Sequence, residues 1–113
     1  MLHRVSMGLV AVMVTASGMA SAQDATKAAK GKAVFADQKC KMCHSIGGVG
    51  SAKGPLDDVG NKLSADEIKQ WLQNPKEMAE NANATRKPPM KSFANVPPAD
   101  LDALVAYLET LKK

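Results

Sequence analysis

The sequence predicts an all-α domain of three to four helices. Three observations lead there. Apolar residues recur at helical spacing in stretches that also carry helix start signals, and no stretch shows the alternation of a half-buried strand. The chain has 113 residues, which is one domain's worth. Aromatic residues make up 4% of it, namely Phe35, Trp71, Phe93 and Tyr107, and this is thin filling for an apolar core. So small a domain often needs a metal, a disulfide or a cofactor to be secure, and the thin core points to a large apolar group that the sequence does not encode. Hydrophobic residues at 45% and charged residues at 23% exclude collagenous, disordered and disulfide-dense classes, and the length excludes a multidomain enzyme.

Residues 1–22 read as a cleavable export signal. Met1 to Ser6 carries a positive charge, Met7 to Thr15 is apolar, and Ala20-Ser21-Ala22 has the A-x-A form of a cleavage site before polar Gln23. The apolar stretch is well short of the roughly 20 residues of a membrane span. A mature domain over residues 23–113, outside the cytoplasm and without a membrane span, is expected. The net charge of +4 falls to +3 when Arg4 is removed. That mild excess, with no dense basic helix and no basic run interleaved with aromatics, argues against nucleic-acid binding.

Thr26 to Lys39 predicts the first helix, with Gly31, Val34, Phe35 and Gln38 at helical spacing. Ser64-Ala-Asp-Glu67 is a capping box, and Ile68, Trp71 and Leu72 continue it as one apolar stripe. Asn74-Pro75 ends that helix, and Pro75 opens a short piece to about Asn81. Pro97-Pro98 starts the last helix. Its buried stripe is Leu101, Leu104, Val105, Leu108 and Leu111, and Lys112 and Lys113 suit its negative end. Two long loops remain. Residues 45–62 hold five of the eight glycines, and residues 83–98 hold four of the six prolines. Loops of this length in a small domain are usually functional.

The chemistry lies in Cys40-Lys-Met-Cys43-His44, which contains both cysteines and the one histidine outside the signal. C-x-x-C-H reads as a c-type haem attachment site. Two thiols at this spacing can add to the vinyl groups of one porphyrin, and the next residue can bring an imidazole to the iron. A redox dithiol normally follows a strand, and none precedes Cys40. A structural disulfide leaves His44 unexplained. A structural zinc site needs four protein ligands, and only three candidates are present. With a single histidine, the second axial ligand falls to Met90 or Met78, to another group, or to none. Met42 is pinned inside the motif. Met90 stands in Lys87-Pro-Pro-Met-Lys91, where two prolines lower the entropic cost of presenting a side chain, and it is the preferred ligand.

These motifs resemble the class I monohaem c-type cytochromes over essentially all of residues 23–113. Gly31-Lys-Ala-Val-Phe35 before Cys40-x-x-Cys43-His44 is similar to the first helix of that family. Trp71-Leu-Gln-Asn-Pro75 is similar to the helix that sets an aromatic against the haem. Pro89-Met90 resembles the methionine-ligand loop, and Leu104-Val-Ala-Tyr-Leu108 resembles the last helix. The resemblance implies a cytochrome c fold around one covalent haem c, with the first and last helices crossing at Gly31. It implies axial ligation by His44 and Met90. It also implies that the carbonyl of Pro55, in Gly54-Pro55-Leu56, accepts from His44 Nδ1, and that Trp71 lies against the ring.

Iron held by His44 and Met90 has no vacant position for a substrate, and the thioether raises the reduction potential. No paired carboxylates or nucleophile dyad accompany the motif. The expected function is therefore that of a soluble, monomeric, non-enzymatic one-electron carrier of the bacterial periplasm, working between respiratory or dehydrogenase partners. A sensor or peroxidase-like haem protein with a labile methionine is the alternative, followed by a thiol–disulfide oxidoreductase. Lys39, Lys41 and Lys53, with Arg86, Lys87 and Lys91, suggest a basic ring that docks an acidic patch on a redox partner. Asp57 and Asp58 are the acidic exceptions nearby.

Overall fold

Helix α1, Ser17–Asp37, crosses helix α5, Pro98–Glu109, and these two pack together more extensively than any other pair of elements. The computed structural model describes residues 17–113, with side chains from residue 24. Most of the expected export signal lies outside the described residues. No helix among the described residues is long and apolar enough to cross a membrane.

Gly31 makes the close crossing possible. A Cβ there would run into the Ala103 carbonyl and come within 2.6 Å of Tyr107 Cβ. The two backbones can meet only because Gly31 has no side chain. Around this point Phe35 and Tyr107 pack edge to face, with centroids 6.1 Å apart and an interplanar angle of 69°. Leu104 is fully buried, and Val34, Leu101, Val105 and Leu108 complete the layer. Lys30 and Asp100 pair at 3.1 Å across the crossing, but Lys30 is exposed and Asp100 only half-buried, so the pair contributes little. Gly31→Val is expected to force the helices apart and to cost about 3 kcal/mol, the upper range for overpacking. Denaturant unfolding of the haem-loaded protein measures this, and an unchanged midpoint would mean that the crossing is looser than described.

Between the crossing helices the chain forms a 3-10 turn (Cys40–Met42), strands β1 (Ser45–Ile46) and β2 (Val49–Gly50), and helices α2 (Val59–Lys62), α3 (Ala65–Gln73) and α4 (Pro75–Asn81). The antiparallel hairpin β1–β2 was not expected. Gly47 and Gly48 form its tip with φ values of 58° and 80°, the left-handed pair that a two-residue hairpin turn requires. Asp57 fixes that tip, its carboxylate accepting from Gly47 N–H at 2.7 Å.

The capping box forms as expected. Ser64 Oγ accepts from Glu67 N–H at 3.2 Å, and Glu67 Oε1 accepts from Ser64 N–H at 3.1 Å. Ile68 and Leu72 enter the core beside Phe93, but Trp71 stays half-buried and outside the core cluster. On a helix Trp71 lies about 60° from Ile68, on the side away from Leu72 and Ala65. The apolar stripe is therefore narrower than expected, and the indole lies at its margin.

Helix α5 ends at Glu109, so Lys112 and Lys113 lie beyond it rather than in its last turn. A tertiary clasp replaces the expected continuation. Gly60 N–H donates to the Leu111 carbonyl at 2.9 Å, and Lys113 N–H donates to the Asp58 carboxylate at 2.8 Å. The hydrogen bond from Lys113 N–H, followed by that from Asn61, holds the Asp58 carboxyl below its ordinary range.

Candidate functional site

The site begins where α1 stops. Lys39 takes a left-handed conformation (φ 58°, ψ 35°) that turns the chain away from the helix axis. The next residues wind into the 3-10 turn, and the Cys43 and His44 amides both donate to the Cys40 carbonyl, at 3.1 and 3.0 Å. One turn thus carries both thiols and the imidazole. Cys40 is half-buried, Cys43 is exposed, and both are free thiols. Met42 points outward with 73% exposure.

His44 is oriented by the loop opposite. Its Nδ1 lies 3.0 Å from the Gly54 carbonyl. The acceptor expected from the sequence was the carbonyl of Pro55, and the difference has a clear cause. Ser45 and Pro55 form a parallel bridge, in which Ser45 N–H donates to the Gly54 carbonyl at 3.1 Å and Leu56 N–H donates to the Ser45 carbonyl at 2.9 Å. That register turns the Gly54 carbonyl toward His44, and Pro55 itself is exposed. Burial pushes the His44 pKa below its ordinary value, against the opposing effect of the Gly54 carbonyl, and the nearby Arg86 charge lowers it further. The imidazole is therefore neutral at pH 7. With Nδ1–H donating, its lone pair sits on Nε2, the form in which histidine ligates a metal.

The preferred second ligand, Met90, lies in the segment after α4. Met90 is half-buried and packs against the core. It borders a cleft of about 780 Å³ together with Ser92, Gln73 and the start of α4. Met78 is half-buried and stands outside the core cluster. One contact brings the Met90 segment to the attachment turn. Arg86 Nη2 donates to the Cys43 carbonyl, while the Lys91 ammonium sits 5.3 Å above the Phe93 ring. Sequence reasoning places Arg86 in the basic ring but not on the attachment turn, because its partner is a backbone carbonyl 43 positions away and no local pattern marks that bond.

This donor set fits a covalently bound haem. Two free thiols on one turn match two vinyl groups. A neutral imidazole and a thioether are donors that suit low-spin iron. The rival chemistries fit less well. Burial drives the Cys40 thiol up to about 11, opposite to the lowered pKa of a reactive dithiol. Among the described residues, no three His, Cys, Asp or Glu side chains gather into a metal-binding group.

A family model described as cytochrome c matches residues 28–112. The chain is also 37% identical over 95 residues to a cytochrome c oxidase subunit 2 of Alkalihalophilus pseudofirmus, covering 77% of this chain and 26% of that protein. The chain thus spans about a quarter of the length of this relative. No solved structure matches it.

Proposed function

Since the chain belongs to the cytochrome c family, and is therefore an electron-transfer protein with covalently bound haem c, we propose that it is a soluble one-electron carrier with Cys40 and Cys43 as the thioether residues and His44 and Met90 as the axial ligands. The observation that carries this reading is the His44 Nδ1 to Gly54 carbonyl hydrogen bond, which holds the proton on Nδ1 and leaves the Nε2 lone pair free to ligate beside the turn that holds both thiols. When bound, the haem supplies a one-electron iron couple.

The chain's own residues do the rest. The Gly54 carbonyl fixes the tautomer and angle of His44 and makes it a stronger donor. The Met90 thioether would be the second iron ligand, a soft donor that would favour the reduced state and leave no open position for a substrate, oxygen or peroxide. Trp71 offers its half-buried indole as an aromatic wall, and the Pro55 ring stiffens the backbone just after the Gly54 carbonyl. Export by cleavage after Ala22 would deliver a periplasmic chain beginning at Gln23, and intact-mass measurement of the periplasmic product tests this.

Partner choice follows from the surface. Lys39, Lys41, Lys53, Arg86, Lys87 and Lys91 are all exposed. The nearby acids are committed elsewhere, Asp57 to the hairpin tip and Asp58 to the chain end. Met42 and Val49, at 73% and 66% exposure, supply an apolar contact on adjoining elements. This face suits an acidic patch on a redox partner. The likeness to a subunit of a terminal oxidase supports a place in a respiratory chain, with the protein acting as a monomer. Its association rate with an acidic partner is expected to fall about tenfold as ionic strength rises across the physiological range, because long-range attraction is screened. Stopped-flow mixing measures that rate, and a salt-independent value would remove the docking reading.

The ligation is tested by the optical spectrum of the reduced protein before and after adding carbon monoxide. A sharp low-spin haem c spectrum unmoved by the gas is the expected result. An immediate, complete shift would mean an open iron and would favour a ligand-binding haem protein.

A further inference from the structure

The segment that carries Met90 has very little backbone anchorage. Its predecessor is tied by Ala84 N–H to the Ala79 carbonyl at 2.9 Å, and its successor by Phe93 N–H to the Leu72 carbonyl at 2.7 Å. Between them, among the described residues, no backbone amide or carbonyl of residues 85–92 joins another backbone group. Among the described residues, two side-chain hydrogen bonds tie the segment to other elements, beside a local one from Ala94 N–H to Ser92 Oγ at 3.2 Å. Ser92 Oγ donates to the Gln73 carbonyl at 2.9 Å on one side of Met90. Arg86 Nη2 donates to the Cys43 carbonyl on the other.

The Arg86 bond lands on the attachment turn itself. Gly54 leaves the space for it, since a Cβ there would strike both the guanidinium and the Cys43 carbonyl. The same Gly54 supplies the carbonyl that orients His44. One small cluster therefore joins the turn that holds His44 to the strap that holds Met90. An eight-residue strap without backbone bonds opens readily unless its ends are pinned. A guanidinium bonded to a carbonyl is a strong pin, because the donor is charged and the fork is preorganised.

We propose that Arg86 is a positioning residue that keeps Met90 in place as the sixth ligand by strapping residues 85–92 to the Cys43 carbonyl. The inference rests on the His44/Met90 ligation proposed above. Arg86 touches neither the iron nor a substrate. It sets how often Met90 leaves, and so how firmly the site is held to electron transfer.

The test is the rate at which carbon monoxide binds the reduced, haem-loaded protein, compared among wild type, R86Q, K87Q and M90A. Carbon monoxide must wait for Met90 to leave. Loss of one charge-assisted hydrogen bond corresponds to about a ten- to hundredfold change in the open population. R86Q is therefore expected to bind the gas about ten to a hundred times faster than wild type. Its haem content and far-UV helicity should stay unchanged, and the ferric sulfur-to-iron absorption should weaken. K87Q removes the same charge one residue away and is expected to keep the wild-type rate. If R86Q does not load haem, R86M keeps the packing of the stem without the donor and carries the same expectation.

A wild-type rate in R86Q, with wild type slower than M90A, overturns the role of Arg86 and leaves the Met90 ligation standing. Equal acceleration in K87Q and R86Q reduces the effect to net charge and also overturns the strap. A wild type that already binds as fast as M90A removes the ligation on which the inference is built.

Discussion

Met90→Ala is expected to lower the reduction potential by on the order of 0.2 V, a fraction of the roughly 0.8 V that axial ligands span. The soft thioether stabilises reduced iron, and alanine leaves water or nothing in its place. The same variant should bind carbon monoxide at once. Its fold should survive, because Met90 packs on the edge of the core from a strap that the helices do not need. Redox titration and gas binding together make the measurement. Met78→Ala is the informative comparison, since Met78 is the other half-buried methionine of the region and lies outside the core cluster. A fall in potential in M78A with none in M90A would move the ligand to α4.

The double replacement of Cys40 and Cys43 by alanine is expected to abolish covalent haem and with it cooperative unfolding. Among the described residues the apolar core cluster has nine buried members, and of the four aromatics only Phe35 and Phe93 are among them. Trp71 stands half-buried outside that cluster, so the core draws little on the largest side chain of α3 and relies the more on the haem ring. A protein lacking that ring should keep partial helix at the α1–α5 crossing and lose the sharp melting transition. Circular dichroism against temperature, with acid–organic extraction of any bound haem, measures both parts. A sharp transition at the wild-type midpoint in the haem-free variant would show that the core is self-sufficient.

What the sequence discloses depends on how local each feature is. The capping box at Ser64, the start of α4 at Pro75 and the α5 stripe from Leu101 to Leu108 rest on neighbours within a few positions, and these form as read, whereas Leu111 falls beyond the helix and is only half-buried. The attachment motif is contiguous and was legible for the same reason. The Gly54 carbonyl was not, because the choice between it and Pro55 is made by the register of a bridge to Ser45, ten positions away. The end of α5 was misjudged because Gly60 and Asp58 capture the last residues, and helix periodicity carries no sign of them. The hairpin did leave a trace. Two glycines between Ile46 and Val49 form a hairpin signal, but strands of two residues are too short for alternation to reveal them.

The crossing at Gly31 and Ala103 makes the intervening chain a closed ring, with the whole candidate site strung along it. Ring closure becomes only slowly more costly as a ring grows, by about 0.6 kcal/mol for each doubling of a flexible segment. Insertions at 83–88 are therefore cheap, provided that Arg86 and Met90 keep their separation. Deletions meet a hard limit, because the strap must still reach from Ala84 to Phe93 and touch Cys43 on the way. Length in this region can drift upward through descent far more easily than downward. A relative with a longer segment after α4 can thus keep the same site, whereas one with a shortened strap must have found another way to present its ligand.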